Sequence, residues 1–167
     1  ETAPNKALEA LKELEEVMKG KANTYYEMFI HLNRGILFFK TGKYNDAIRS
    51  FVKYYTNEYY KKSDNLFKFR VAITELMMHF ESKDLAGISI RLEQVRKQFK
   101  DEMDQKDACA EKLMYDWMQL LRKQELKYSN EKVLAALRVL VKDKRLKQNE
   151  DSQLLNYHNW LQSKLAS

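Results

Sequence analysis

A chain of 167 residues is long enough for one domain with a hydrophobic core and too short to expect a second independent core. Its 4 Gly and 1 Pro leave little material for hairpin turns or barrel corners, while Leu, Lys, Glu, Ala, Met and Gln fill most segments, so composition excludes a sheet-rich fold and predicts an all-α protein. Lys and Arg outnumber Asp and Glu by 30 to 24, a formal charge of +6 spread along the chain, which permits an acidic partner without demanding one.

The first predicted helix spans residues 5–19, with Ala7, Leu11, Leu14 and Met18 forming a narrow apolar stripe. Pro4 suits its first turn and Gly20 its end, and the helix reads as a cap over the first helix pair or as the completion of a repeat lying upstream. The second helix, 24–41, carries Tyr25, Met28, Phe29, Leu32, Ile36 and Phe39, and Leu37 and Phe38 widen the apolar surface until more than one neighbour is needed to bury it. Gly35 sits mid-helix, where it costs about 1 kcal/mol relative to Ala, and close approach of another helix is the physical reason for it. Gly42 closes this helix as a C-terminal glycine cap.

A third helix over 44–60 turns Tyr44, Ala47, Ile48, Phe51, Tyr54 or Tyr55, and Tyr59 inward. Ser63 or Asp64 caps a fourth, with Leu66, Phe69, Ile73, Leu76 or Met77, and Phe80 on its stripe. Asp84 opens a fifth with Leu85, Ile88, Leu92, Val95 and Phe99. The sixth covers 105–128 and presents Ala110, Leu113, Trp117, Leu120 and Leu121; Ser129 or Asn130 caps a seventh with Val133, Leu137, Leu140 and Val141. An eighth, 150–165, offers Leu154, Tyr157, Leu161 and Leu165. The expected fold is therefore seven or eight antiparallel helices in consecutive pairs.

The lone Cys109 can form no internal disulfide and reads as a small buried hydrophobe in a reducing, cytoplasmic setting. No apolar run approaches the ~20 residues of a membrane helix, so no membrane insertion is expected. The chain starts Glu-Thr-Ala-Pro, without Met, and is expected to be a fragment of a longer protein, residues 1–167 forming one helical-repeat domain of it. His31, His79 and His158 stand in no metal-ligand spacing, although Glu75 and His79 share a face. There is no glycine-rich phosphate loop, no G-x-S-x-G elbow and no H-E-x-x-H, and the carboxylates Glu15, Glu16, Asp101, Glu102 and Asp104 fall on exposed turns. The expectation is a non-enzyme without metal or cofactor.

The Tyr-rich passage of Tyr54, Tyr55, Tyr59 and Tyr60 with Lys53, Lys61 and Lys62 invites a nucleic-acid reading, since rings stack on bases and Lys meets phosphate. Against it, Tyr55 and Tyr59 lie one helical turn apart and are expected to pack, and a second basic cluster of Arg138, Lys142, Lys144, Arg145 and Lys147 joins them only if the fold brings the two together.

Gly35, Phe38, Gly42, Tyr44, Ala47 and Phe51 carry a family likeness: their spacing resembles that of the small residue, aromatic, turn glycine, second-helix tyrosine, alanine and aromatic of a tetratricopeptide repeat. The likeness covers about a fifth of the chain. Residues 77–99 resemble a degenerate relative of the same unit, similar to uncharacterised bacterial proteins of this helical-repeat type. The departures are His31 and Arg34 where the family carries Trp and Leu, Tyr59 where it closes with Pro, and second helices that begin near Tyr44, Asp84 and Asn130, 40 and 46 residues apart, against a family period of ~34.

The resemblance implies a short right-handed superhelix of stacked antiparallel pairs whose first helices line a groove for a peptide or partner helix. On this repeat the groove positions are Phe29, Leu32, Ile36, Phe39 and Lys40, and an apolar centre there would be bordered by Lys40 and Arg70. Relatives that clamp acidic C-terminal tails carry Lys and Asn at two of these positions; Leu32 and Ile36 stand there instead, so that clamp is not expected. The functional expectation is a scaffold or protein-interaction module, with neighbouring helices as the competing occupant of the inner face. The alternative is a regulatory or nucleic-acid-associated helical module of a longer regulator.

Overall fold

The computed structural model describes residues 3–18, 24–124, 127, 130–147 and 153–166. These residues form eight α-helices and no strand: α1 (Ala3–Met18), α2 (Thr24–Lys40), α3 (Tyr44–Thr56), α4 (Asn65–Glu81), α5 (Leu85–Gln98), α6 (Cys109–Lys123), α7 (Glu131–Leu140) and α8 (Tyr157–Leu165). The all-α class and the helix number are as the stripes predict. No described helix is long and apolar enough to cross a membrane. The chain groups into two compact units, 1–64 and 65–167.

In the first unit α1 packs on α2 and α2 folds back on α3. The α1 stripe differs from the expected one: Leu8 is its buried residue and Leu14 is exposed. The inward line runs through Leu8, Leu11 and Glu15, because the Glu15 carboxylate meets the Arg34 guanidinium of α2 at 2.6 Å. That hydrogen bond, working against burial, holds the Glu15 pKa below the usual carboxylate value. Arg34, one of the departures from the tetratricopeptide pattern, thus has its own partner on α1.

Helices α2 and α3 come closest at Gly35, where a Cβ would lie 2.5 and 2.6 Å from the Phe51 ring and 3.3 Å from the Ala47 carbonyl oxygen. The turn between them is a Schellman motif: the Lys43 amide donates to the Phe38 carbonyl at 2.8 Å and the Gly42 amide to that of Phe39 at 3.0 Å, with Gly42 at φ +74°. Helix α3 stops at Thr56, four residues short of the expected end, because the Asn57 side chain accepts from the Tyr59 amide at 3.0 Å and starts a 3-10 helix, Glu58–Lys62. Tyr59 therefore leaves the α3 stripe, and Tyr54 rather than Tyr55 is the fully buried one of that pair.

The second unit is built around α4, in which every residue from Lys68 to His79 except Arg70 is buried. The predicted stripe Phe69, Ile73, Leu76 is there, but neighbours on several sides, α5 and α6 among them, cover the other faces too. At its end Phe80 meets Trp117 of α6 and Trp160 of α8 with ring centroids 6.0 and 5.4 Å away. Asp84 caps α5 as predicted, its Oδ1 accepting from the Gly87 amide at 2.9 Å, and Ile88, Leu92, Val95 and Phe99 are buried. Leu85 is exposed, since the inward face begins one turn later at Ile88.

Helix α6 begins at Cys109, not 105, because Glu102–Asp104 and Lys106–Ala108 wind as two short 3-10 turns; Cys109 is half-buried rather than buried. Asn130 caps α7, accepting from the Lys132 amide at 2.9 Å. Helix α8 starts at Tyr157, capped by Asn156, and buries Tyr157, Trp160 and Leu161 while Leu165 is exposed. Gly20, the expected end of the sixth helix at Tyr128, the alternative cap Ser129 and the expected start of the eighth at Glu150 lie outside the described residues.

The α4–α5 turn repeats the α2–α3 turn with a different residue at its critical position. The Asp84 amide donates to the His79 carbonyl at 3.0 Å and the Lys83 amide to that of Phe80 at 3.1 Å, with Lys83 at φ +57° where the earlier turn has Gly42. A side chain in the left-handed region costs roughly 1–2 kcal/mol. Gly42→Ala should therefore lower, and Lys83→Gly raise, the stability by about 1 kcal/mol, the second gain reduced by the added freedom of the unfolded chain. Urea midpoints at unchanged m value check both signs.

Candidate functional site

The first turn of α2 carries an exposed aromatic cluster. Asn57 Nδ2 donates to the Thr24 carbonyl at 2.7 Å and Thr24 Oγ1 to Glu58 at 2.9 Å, tying the 3-10 helix Glu58–Lys62 to the start of α2. That tether places Tyr59 edge-on to Tyr25, with centroids 5.6 Å apart. Tyr25 also meets Phe29 at 5.0 Å and Tyr26 at 5.8 Å, both edge-on, and Lys62 Nζ stands 4.8 Å over the Tyr59 ring. The rings hold one another in place, yet Tyr25 is 45% and Tyr26 54% exposed.

Of the residues expected to line a groove, the structure brings only Phe29 into this cluster, where it is half-buried. Leu32 and Ile36 are 3% and 9% exposed and belong to the core. Phe39 is half-buried, edge-on to Tyr44 at 5.5 Å, and Lys40 is exposed. Arg70 lies in the second unit, where its Nε faces the buried Glu111 carboxylate at 3.5 Å. The accessible line along α2 is Tyr26, Phe29, Asn33, Leu37 and Lys40, at steps of three, four, four and three. The apolar spacing puts Tyr25 on the inward stripe and Tyr26 off it; what marks Tyr26 in the sequence is this second period, one position away from that of Leu32 and Ile36.

Family models, curated proteins and solved structures give no match to the chain. The tetratricopeptide resemblance rests on the sequence positions Gly35, Phe38, Gly42, Tyr44, Ala47 and Phe51.

The other tyrosines of the Tyr-rich passage face inward on one another. Tyr54, Tyr55 and Tyr60 pack with centroids 5.1 to 5.4 Å apart and steep ring angles, Phe51 lying behind Tyr54 and Tyr55 at 6.3 Å. Rings held edge-on in this way offer few free faces for bases to stack on. His31 lines a polar pocket of α1 and α2 with Glu15 and Glu27; burial, then Arg34 and Lys53, hold its pKa below the ordinary imidazole value.

In the second unit a shallow cleft of about 530 Å³ runs between α6 and α7, lined by Leu113, Trp117, Leu120, Ala136 and Val139. Val139 is 72% exposed on its rim. Among the described residues no three His, Cys, Asp or Glu side chains converge as metal ligands. What the α2 surface offers chemically is apolar ring area, phenol hydroxyls and flanking ammonium groups.

Proposed function

We propose that the chain is a non-enzymatic interaction module that binds a partner protein, presenting an apolar helix or peptide, through the outward line of α2. The observation that carries this reading is the exposure of Tyr25 and Tyr26 within a cluster whose rings are already set by Phe29, Tyr59 and Lys62. Tyrosines fixed before binding lose little rotamer freedom on contact, and such anchors supply most of the energy of protein interfaces. Leu32 and Ile36 are then core residues and not contacts, and Lys40 and Lys62 supply a polar rim. The matching turns after Phe38 and His79 support a repeated helix pair, at a separation of 41 residues that exceeds the tetratricopeptide period of ~34. The lone Cys109 supports a reducing, cytoplasmic setting.

The test is affinity of the purified chain for a partner recovered from its source cells. Tyr26→Ala should weaken that complex by about tenfold or more with the circular dichroism spectrum unchanged, and salt should weaken it only modestly. Undiminished binding by a folded Tyr25→Ala/Tyr26→Ala variant contradicts the reading. So does tight oligonucleotide binding that falls by ~10³ between 50 and 200 mM salt, the mark of contact with about six or more phosphates.

A further inference from the structure

His79, near the end of α4, is bracketed by carboxylates on both ring nitrogens. Its Nδ1 lies 2.8 Å from Asp84 Oδ2, and its Nε2 lies 3.7 Å from Glu75 Oε1. Behind Glu75, the Arg91 Nε of α5 stands 2.6 Å from Oε2. Glu75 and His79 are buried and Arg91 nearly so, whereas the Asp84 side chain reaches solvent.

Asp84 does two things at once: Oδ1 caps α5 through the Gly87 amide, and Oδ2 meets the imidazole. The space for this is made by Gly87, where a Cβ would overlap both Asp84 Oδ2 and His79 Nδ1. The backbone around the pair is the turn in which Lys83 holds a left-handed conformation, so the turn leans on its side-chain contacts.

An imidazolium donates from Nδ1 to Asp84 and sets its second N–H and its charge opposite Glu75 at ion-pair distance, so both carboxylates are matched. A neutral imidazole has one N–H, and whichever tautomer forms, a ring lone pair faces a carboxylate oxygen. We propose that His79 is a proton-operated latch on the α4–α5 turn: protonated, it ties the cap of α5 to Glu75 of α4, and neutral, it releases one carboxylate and lets the turn open.

The placement of the two carboxylates agrees with the direction of the titration. Burial works against the charge on His79, and Glu75 and Asp84 outweigh it, so its pKa lies above the ordinary imidazole value. A raised folded-state pKa means that the stabilisation is complete below the unfolded value near 6.5 and is lost as pH rises through the folded one. The latch closes on the acidic side.

Two measurements on the whole chain test it together: titration of the His79 ring by NMR, and exchange of the Gly87 amide across the same pH range, corrected for its intrinsic rate. His79 should titrate above a free imidazole, and Gly87 protection should fall as pH passes that point. The full drop should equal about ten raised to the difference between the closed and open pKa values. His79→Gln should flatten the profile. Asp84→Asn, which keeps a capping oxygen for Gly87 but removes the charge facing Nδ1, should lower the His79 pKa and shrink the drop. A Gly87 protection that ignores pH while His79 titrates, or a profile unchanged in Asp84→Asn, overturns the proposal.

Discussion

Arg70→Met is expected to destabilise the protein by about 3–5 kcal/mol, the cost of leaving a buried charge without its partner. Glu111 is 2% exposed, and around it stand the Arg70 Nε at 3.5 Å and the Tyr157 hydroxyl, which donates at 3.4 Å. Arg70 is held in turn by the Asp107 carbonyl at 3.4 Å, so one side chain joins α4, α6 and the turn before α6. Burial raises the Glu111 pKa above the usual carboxylate value even though Arg70 and Tyr157 pull it down. A carboxyl with a raised folded-state pKa stabilises fully only below its unfolded value and loses that contribution as pH rises. Removing Arg70 raises the folded pKa further, so the penalty of Arg70→Met should be small near pH 5 and largest near pH 8. Urea midpoints at the two pH values read this, and Arg70→Met/Glu111→Leu should recover most of the loss at pH 8. A penalty independent of pH would show that Arg70 stabilises through packing and not through Glu111.

Gly35→Ala should cost about 1–3 kcal/mol, although alanine is the better helix former by about 1 kcal/mol. The added methyl would sit 2.5 Å from Phe51 Cδ1. Phe51 is fully buried between the Gly35 backbone and the rings of Tyr54 and Tyr55, so it cannot swing aside without moving them. Gly35→Ala/Phe51→Leu should be less than additive, because the smaller side chain makes room for the methyl. A Gly35→Ala midpoint at or above that of the parent chain would mean that α2 and α3 slide apart at little cost, and that the glycine is no sign of their close approach.

What can be read from the residues follows the strength of the local signal. Gly42 and Asp84 mark their turn and cap because each is chemically suited to one backbone role. Lys83 gives no such mark: a lysine at φ +57° does not differ in sequence from a lysine on a helix face. The α1 stripe misleads at Leu14 because a carboxylate, Glu15, occupies an inward position, and only Arg34, 19 residues on, makes that tolerable. Helix α3 reads too long because its apolar period runs on through Tyr59, whereas the Asn57 side chain ends it. On the candidate site, Phe29 is legible and its neighbours are not. Tyr25 and Tyr59 meet where Asn57 and Glu58 tie the 3-10 helix to Thr24, contacts between residues 33 and 34 apart that no local pattern encodes. Charge alone puts Arg70 on a rim, and the buried Glu111 that draws it inward lies 41 residues further along the chain.

Whether partners meet the chain on the outward line of α2 is tested most directly by position-specific photo-crosslinking. Benzoylphenylalanine replaces Tyr26 in one protein and Val139, exposed on the α6–α7 cleft, in another, and each is irradiated in source cells. Binding through α2 predicts a discrete protein adduct from position 26 that is lost when Phe29 is changed to Ser and that does not form from position 139. An adduct from position 139 with none from position 26 would contradict it.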